Sequence, residues 1–287
     1  MTASGHPAST AERLRARITA LGAPLCLGID PNPAELPPGL PADVNGVERF
    51  GRGLLEAAVE HVAAVKINVA FFEAFGSAGW AALERLRADV PAEVPCVIDA
   101  KRGDIGSTAE RYAAGLIGHL AADAVTISPY LGADAIEPFL AYPGTMVWVL
   151  ARTSNPDAGR LQGLSVGGRA IHAVVATWVA STWPPDRAGL VVGATAPQEM
   201  LMLRRLVRDP AFLVPGVGAQ GGDLDAAVRL CHGAAMPGLV TVSRGIARRA
   251  VEAGDAWPAA AAEAARELAD RMRAAGATLD REPLRRG

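Results

Sequence analysis

Two lysines and three aspartates form the first pattern in this sequence that could do chemistry. The chain carries 28 Lys and Arg residues, of which only Lys66 and Lys101 are lysines. Where arginine serves almost every surface cation, a lysine marks a place that favours a compact ammonium able to release and regain a proton over a planar guanidinium. Both lysines fall in or at the end of apolar, strand-like runs, VAAVKINV and VPCVIDAKRGD. Asp99 and Lys101 are two apart, so on a strand they point to the same side. Asp104 follows in the next loop, and Asp30 ends the run PLCLGID. A carboxylate beside an ammonium keeps it charged and oriented. Such an ammonium can stabilise a carbanion as it forms and then protonate it. A fixed carboxylate nearby would disfavour a substrate carboxylate and favour its departure as CO2. A buried salt-bridge network closing a barrel mouth would use the same residues for structure alone.

A second cluster lies toward the C-terminus. FLVPGVGAQGGD is rich in glycines that expose backbone N–H groups, and Arg244 stands just past the run LVTVS. Asp223 opens a helix whose positive end would add to the field. Arg244 could clamp a phosphate bidentately, with Gln220 donating beside it. Gly216, Gly218 and Gly221 also spell a GxGxxG. A dinucleotide fingerprint needs an acid at the end of the following strand, and Arg244 occupies that place.

These residues require elements to position them. Eight short runs recur at 24–30, 62–69, 94–100, 123–128, 145–150, 189–194, 212–217 and 238–243. They are continuously apolar rather than alternating, as suits parallel strands buried on both faces. Helical segments separate them, and the tail AWPAAAAEAARELADRMRAAG reads as a closing helix. Ser107 with Glu110 and Thr195 with Gln198 have the spacing of capping boxes, and Asp223 is a candidate N-cap. The expected fold is a single α/β domain over 1–287, a (β/α)8 TIM barrel with an additional N-terminal helix at 10–21. A doubly wound open sheet would use the same alternation. In a barrel, the irregular stretches 31–46 and 152–168 follow strands and lie on the active face, and the loops after strands seven and eight are the usual phosphate site.

Composition removes several function classes. Half of the residues are hydrophobic and the formal net charge is −2, so no basic field points to nucleic acid. No apolar run is long enough to span a bilayer, and the first residues lack the apolar core of a secretory signal. Cys26, Cys96 and Cys231 are not spaced as metal ligands or as a disulfide framework. They read as core thiols of a cytoplasmic protein. The five histidines show no ligand spacing and adjoin no nucleophile signal.

The run Asp99-Ala-Lys101-Arg-Gly-Asp104-Ile105-Gly-Ser-Thr108 resembles the signature of the orotidine 5′-phosphate decarboxylases, in their longer bacterial group. Asp30, Lys66, Ser154 in ARTSNP, Pro215, Gln220 and Arg244 match further family positions, so the resemblance spans nearly the whole barrel. It implies decarboxylation of orotidine 5′-phosphate to uridine 5′-phosphate without a metal or organic cofactor. Lys101 would stabilise and protonate the carbanion-like C6 centre, and Asp99 would crowd the substrate carboxylate and hold Lys101. Lys66 and Asp30 would complete the network and contact the ribose. Ser154 would bond the pyrimidine edge, and Gln220 and Arg244, with Pro215 in the same loop, would hold the phosphate. The resemblance further implies a homodimer in which Asp104, Ile105 and Thr108 enter the partner's site. Loops 152–168 and 215–222 are the candidates to move. A metal-dependent sugar-phosphate enzyme of the same superfamily, or a barrel that binds a nucleotide without turning it over, are the competing readings.

Overall fold

The computed structural model describes residues 8–218, 221–232 and 234–281. Its strands are β1 (Leu25–Ile29), β2 (Ala64–Asn68), β3 (Cys96–Arg102), β4 (Ala124–Ile127), β5 (Met146–Arg152), β6 (Ala188–Val192), β7 (Phe212–Val214) and β8 (Leu239–Val242). Each pairs in parallel with its neighbour in sequence, and β8 returns to pair with β1, closing the barrel. Closure removes the open-sheet alternative. Each of the eight expected runs overlaps one of these strands; β3 and β5 run two residues past the expected ends and β6 starts one residue early.

The unbroken apolar runs conceal a strict division of labour. Leu25, Leu27 and Ile29 of β1 point out to the helices, as do Val65 and Ile67 of β2, Cys96 and Ile98 of β3, and Val125 and Ile127 of β4. The alternate residues fill the barrel. Cys26, Ala64, Val97, Ala124, Met146 and Trp148 form its apolar lower part. Farther along the same inward rows stand Lys66, Asp99, Thr126 and Thr241, all buried. Burial of each large apolar side chain on the outer face stabilises by about 1.5–3 kcal/mol, and this outer layer is what holds the polar upper rows rigid.

The N-terminal helix, Thr10–Leu21, closes the lower mouth. Ser9 and Glu12 form a reciprocal capping box at its start, and Gly22 ends it in the left-handed region at φ 64°. Its Ala11 and Leu14 pack into the lower barrel. Arg13 pairs with Asp123, and Arg17 donates to the carbonyls of Val59 and Val62, both at 2.7 Å. The C-terminal segment is the expected long helix, Trp257–Arg281.

Two caps differ from expectation. Ser107 lies inside the helix Gly106–Ala113, whose cap position is taken by Ile105. The chain turns into this helix at Gly106, one residue before Ser107. The helix Pro197–Leu206 begins at its proline, whose fixed φ suits the first turn, so Ala196 takes the cap. Thr195 instead donates its hydroxyl to the Ser154 carbonyl at 3.1 Å. Asp223 caps as expected, accepting from the amides of Asp225 and Ala226. The stretch 152–168 is more structured than its sequence suggests. It holds the helix Ala158–Gln162, then one strand of a hairpin that pairs Ser165–Val166 with Arg169–Ala170.

Candidate active site

The ladder places Asn68 of β2 beside Asp99 of β3, and Gly28 of β1 beside Lys66 of β2. This register brings the inward side chains of three strands together at the upper mouth. Lys66 Nζ donates to Asp99 Oδ2 at 2.7 Å and lies 3.6 Å from Asp30 Oδ1. Lys101 Nζ donates to the other oxygen, Asp99 Oδ1, at 2.6 Å. One carboxylate is thus held between the only two lysines of the chain. Thr126 Oγ1 donates to Asp99 Oδ1 at 2.9 Å and accepts from the Lys101 backbone N–H at 3.0 Å.

Lys101 reaches this position by an unusual backbone. Its φ is 47°, in the left-handed region that L-residues with long side chains rarely adopt. Regular i, i+2 strand geometry therefore does not account for the pairing of Asp99 with Lys101. The β3–β4 register shifts between Ile98 and Arg102, and the irregularity turns the lysine inward. Its side chain is half exposed, whereas Asp99 and Lys66 are buried.

The electrostatics follow from this geometry. Burial of Asp99 would raise its carboxyl pKa, but Lys66 and then Lys101 outweigh burial and hold it well below the usual carboxylate range. Burial of Lys66 would lower its ammonium pKa, but Asp30 and then Asp99 lift it above the usual lysine range. Both groups stay charged across the physiological range. Burial pushes the thiols of Cys26, Cys96 and Cys231 up to about 12, as expected of unreactive core cysteines.

The network lies at one side of a cavity of about 520 Å³ whose lining includes Asp30, Lys66, Asn68, Asp99, Lys101, Ser154, Pro215 and Arg244. Apolar area comes from Leu150, Val191, Leu213 and Val217. Arg244 begins the helix Arg244–Glu252 directly after β8 and has no ion pair among the described residues. Gly216, Gly218 and Gly221 hold positive φ in the loop after β7. Gln220 lies outside the described residues.

Asp104, Ile105 and Thr108 do not line this cavity. Ile105 is 56% exposed, and Tyr112, Tyr130 and Leu131 are exposed as well. Asp104 accepts from the Ile105 amide at 2.8 Å.

Several lining residues were not singled out from sequence. Asn68, Thr126, Thr241 and Ser243 continue the inward rows of β2, β4 and β8. A count by twos from Lys66 and along the last strand would have found them. Thr153, Asn155 and Gln162 carry no such signal. Gln162 Nε2 donates to Thr153 Oγ1 at 2.8 Å, its Oε1 accepts from the Thr153 amide at 2.9 Å, and Thr153 Oγ1 donates to Asn155 Oδ1 at 2.6 Å. This closed set of bonds fixes the segment carrying Ser154. Gly193, directly after β6, lets that segment approach, since a Cβ there would lie 2.7 Å from the Ser154 nitrogen.

Among the described residues no group of three or more His, Cys, Asp or Glu side chains is placed to hold a metal ion. Nor is any described helix long and apolar enough to cross a membrane.

Comparison with known proteins agrees with the architecture. The orotidine 5′-phosphate decarboxylase of Roseiflexus castenholzii is 48% identical over 254 residues, covering 88% of this chain and 92% of that one. The structure of Leishmania donovani OMP decarboxylase superposes with a TM-score of 0.78 at 38% identity, covering 92% of this chain and 98% of that one. The structure of Leishmania donovani UMP synthase gives a TM-score of 0.80 at 39% identity; it covers 93% of this chain, which spans only 57% of that longer protein. Residues 23–264 match the orotidine 5′-phosphate decarboxylase / HUMPS family, and the chain belongs to that family.

Proposed function

We propose that this chain decarboxylates orotidine 5′-phosphate to uridine 5′-phosphate and CO2, the last step of de novo UMP biosynthesis, through its Lys/Asp network and without a metal or organic cofactor. The observation that carries the reading is Asp99 held ionised between Lys66 and Lys101, in a cavity that Arg244 also lines. The bond from C6 of the base to its carboxylate breaks, and the electron pair stays on C6. CO2 leaves, and a proton from Lys101 Nζ is delivered to C6. Asp99 keeps that ammonium in place. A substrate carboxylate seated beside Asp99 sets two negative charges together; loss of neutral CO2 moves one of them from the carboxylate onto C6, where the proton from Lys101 neutralises it. The barrier to an unstabilised carbanion asks the protein for on the order of 20 kcal/mol. Phosphate held by Arg244 and Gln220 would contribute through closure of the loops at 152–168 and 215–222. Ser154 would read the pyrimidine edge, and Lys66 and Asp30 the ribose.

The same reading assigns the exposed face carrying Asp104, Ile105 and Thr108 to a homodimer, where these residues complete the partner's site. It treats the barrel and its N-terminal helix as one domain. The buried thiols suit the reducing cytoplasm. The test is direct. Purified protein supplied with orotidine 5′-phosphate should show a steady fall in substrate absorbance, unaffected by EDTA, and Lys101→Ala should abolish it. Activity that EDTA removes would favour the metal-dependent relatives instead, and a flat trace would favour a binding protein.

A further inference from the structure

Thr126 is buried and pairs regularly with Trp148 of β5, but on its other side it faces an irregular stretch of β3. Between the aligned pairs Ile98 with Val125 and Arg102 with Ile127, β3 spends three residues, Asp99 to Lys101, opposite the single residue Thr126 of β4. Such an excess leaves backbone groups without ladder partners. The Lys101 N–H is one of them, and Thr126 Oγ1 accepts it at 3.0 Å. A buried N–H left without an acceptor would be costly, and here it belongs to a residue already at φ 47°. The hydroxyl has one proton to give, and it goes to Asp99 Oδ1 at 2.9 Å. That oxygen also receives the Lys101 ammonium at 2.6 Å. The bonds close a ring: Lys101 backbone to Thr126, Thr126 to Asp99, Asp99 to Lys101 Nζ.

We propose that Thr126 is a positioning residue, which fixes the angle at which Lys101 presents its ammonium by bonding both the lysine backbone and the carboxylate that the ammonium grips. The assignment rests on Lys101 being the proton donor proposed above. Lys101 is a long side chain, half exposed, and among the described residues of its own chain it has one carboxylate partner, Asp99. Within the chain its aim therefore depends on the two ends that Thr126 ties. Lys66 is held independently by Asp30 and by the other oxygen of Asp99. Loss of the hydroxyl should accordingly disturb the proton donor and leave most of the cavity as it was.

The experiment compares Thr126→Val, Thr126→Ala and Thr126→Ser with the wild type, all as full-length protein. Valine keeps the branched shape and removes the hydroxyl; serine keeps the hydroxyl and removes the methyl. Turnover is measured with orotidine 5′-phosphate, and affinity with uridine 5′-phosphate as the probe. Misplacing a catalytic group by about 1 Å can cost on the order of 100-fold. Valine and alanine are expected to lower kcat by roughly 30- to 100-fold, with KM and uridine 5′-phosphate affinity within about threefold, and serine to restore most of kcat. The alanine variant carries the test should valine fail to fold. Wild-type kcat in a variant without the hydroxyl overturns the assignment, as does equal loss in serine and alanine. A wild-type protein that leaves orotidine 5′-phosphate unchanged refutes the functional reading itself, which is a separate result.

Discussion

Lys66 and Asp99 form an ion pair of 2.7 Å with both side chains buried. Neighbouring strands present them along adjacent inward rows of the barrel. Their partnership is mutual in effect. Asp99 offsets the burial of the ammonium, and Lys66 is the largest of the influences that keep Asp99 ionised against its own burial. Breaking a buried pair by neutralising one partner costs about 3–5 kcal/mol, because the other charge stays behind. Asp30, 3.6 Å from Lys66, softens that loss. Asp99→Asn should therefore destabilise the protein by about 3 kcal/mol.

The same pair sets a pH dependence. Asp99 has a depressed folded pKa, so its contribution is fully present above the unfolded value, about 3.9, and is lost as pH falls through the folded one. Lys66 has a raised folded pKa, so its contribution is present below the unfolded value, about 10.4, and is lost only as pH rises through the folded one. The stability difference between wild type and Asp99→Asn should be flat from about pH 5 to 9 and shrink below about pH 4. Urea unfolding across that range measures it. A difference that titrates near neutrality would contradict a permanently charged pair.

Lys101 separates chemistry from stability. Its ammonium is half exposed and its backbone stands at φ 47°. Left-handed geometry costs a side-chain-bearing residue about 1–2 kcal/mol, and glycine escapes most of it. Lys101→Ala keeps the backbone strain and Lys101→Gly relieves it, so the glycine variant should be the more stable by about 1 kcal/mol. Both should lose turnover by more than about 10³-fold. Equal unfolding midpoints for the two variants would argue that this backbone is not under strain in solution.

Gly193 controls a different part of the cavity. A methyl group there would meet the nitrogen, Cα and Cβ of Ser154 at 2.7–2.8 Å. Backbone cannot yield as a flexible side chain would, so the segment held by Gln162 and Thr153 must shift. Gly193→Ala should raise KM by roughly tenfold, corresponding to about 1.4 kcal/mol of binding. Thermal stability should fall by about 1–3 kcal/mol, the cost of overpacking. Unchanged steady-state kinetics would show that the position of Ser154 does not govern substrate binding.

The fold was legible because parallel strands buried on both faces leave continuous apolar runs, and eight such runs alternating with helices have few solutions. The N-terminal helix was equally visible, although its capping box at Ser9 and Glu12 was not singled out. What stayed hidden is what a one-dimensional pattern cannot hold. Thr126 sits in TIS, where a threonine reads as an ordinary β-branched strand residue, and only the three-against-one register reveals its hydroxyl's task. Asp99 and Lys101 were grouped by strand periodicity, yet Lys101 faces inward through a left-handed backbone that breaks that periodicity. The Ser107 and Thr195 caps failed because Gly106 and Pro197 set where their helices begin. Gln162 reaches Thr153 across a nine-residue gap in a loop with no repeating pattern.

The segment Asp104–Thr108, exposed from Ile105 onward, allows the shared-site proposal to be tested by complementation. Asp104 lies apart from its own chain's cavity, so in a homodimer with two exchanged segments each site would join Lys101 of one chain to Asp104 of the other. Lys101→Ala and Asp104→Ala homodimers should each be nearly inactive. Unfolded together and refolded, they should form mixed dimers in which one site carries both lesions and the other carries neither. With random pairing half of the dimers are mixed and half of their sites are intact, so about a quarter of wild-type activity per site should return. If Asp104 instead served the site of its own chain, every site would carry one lesion and refolding the mixture would restore nothing.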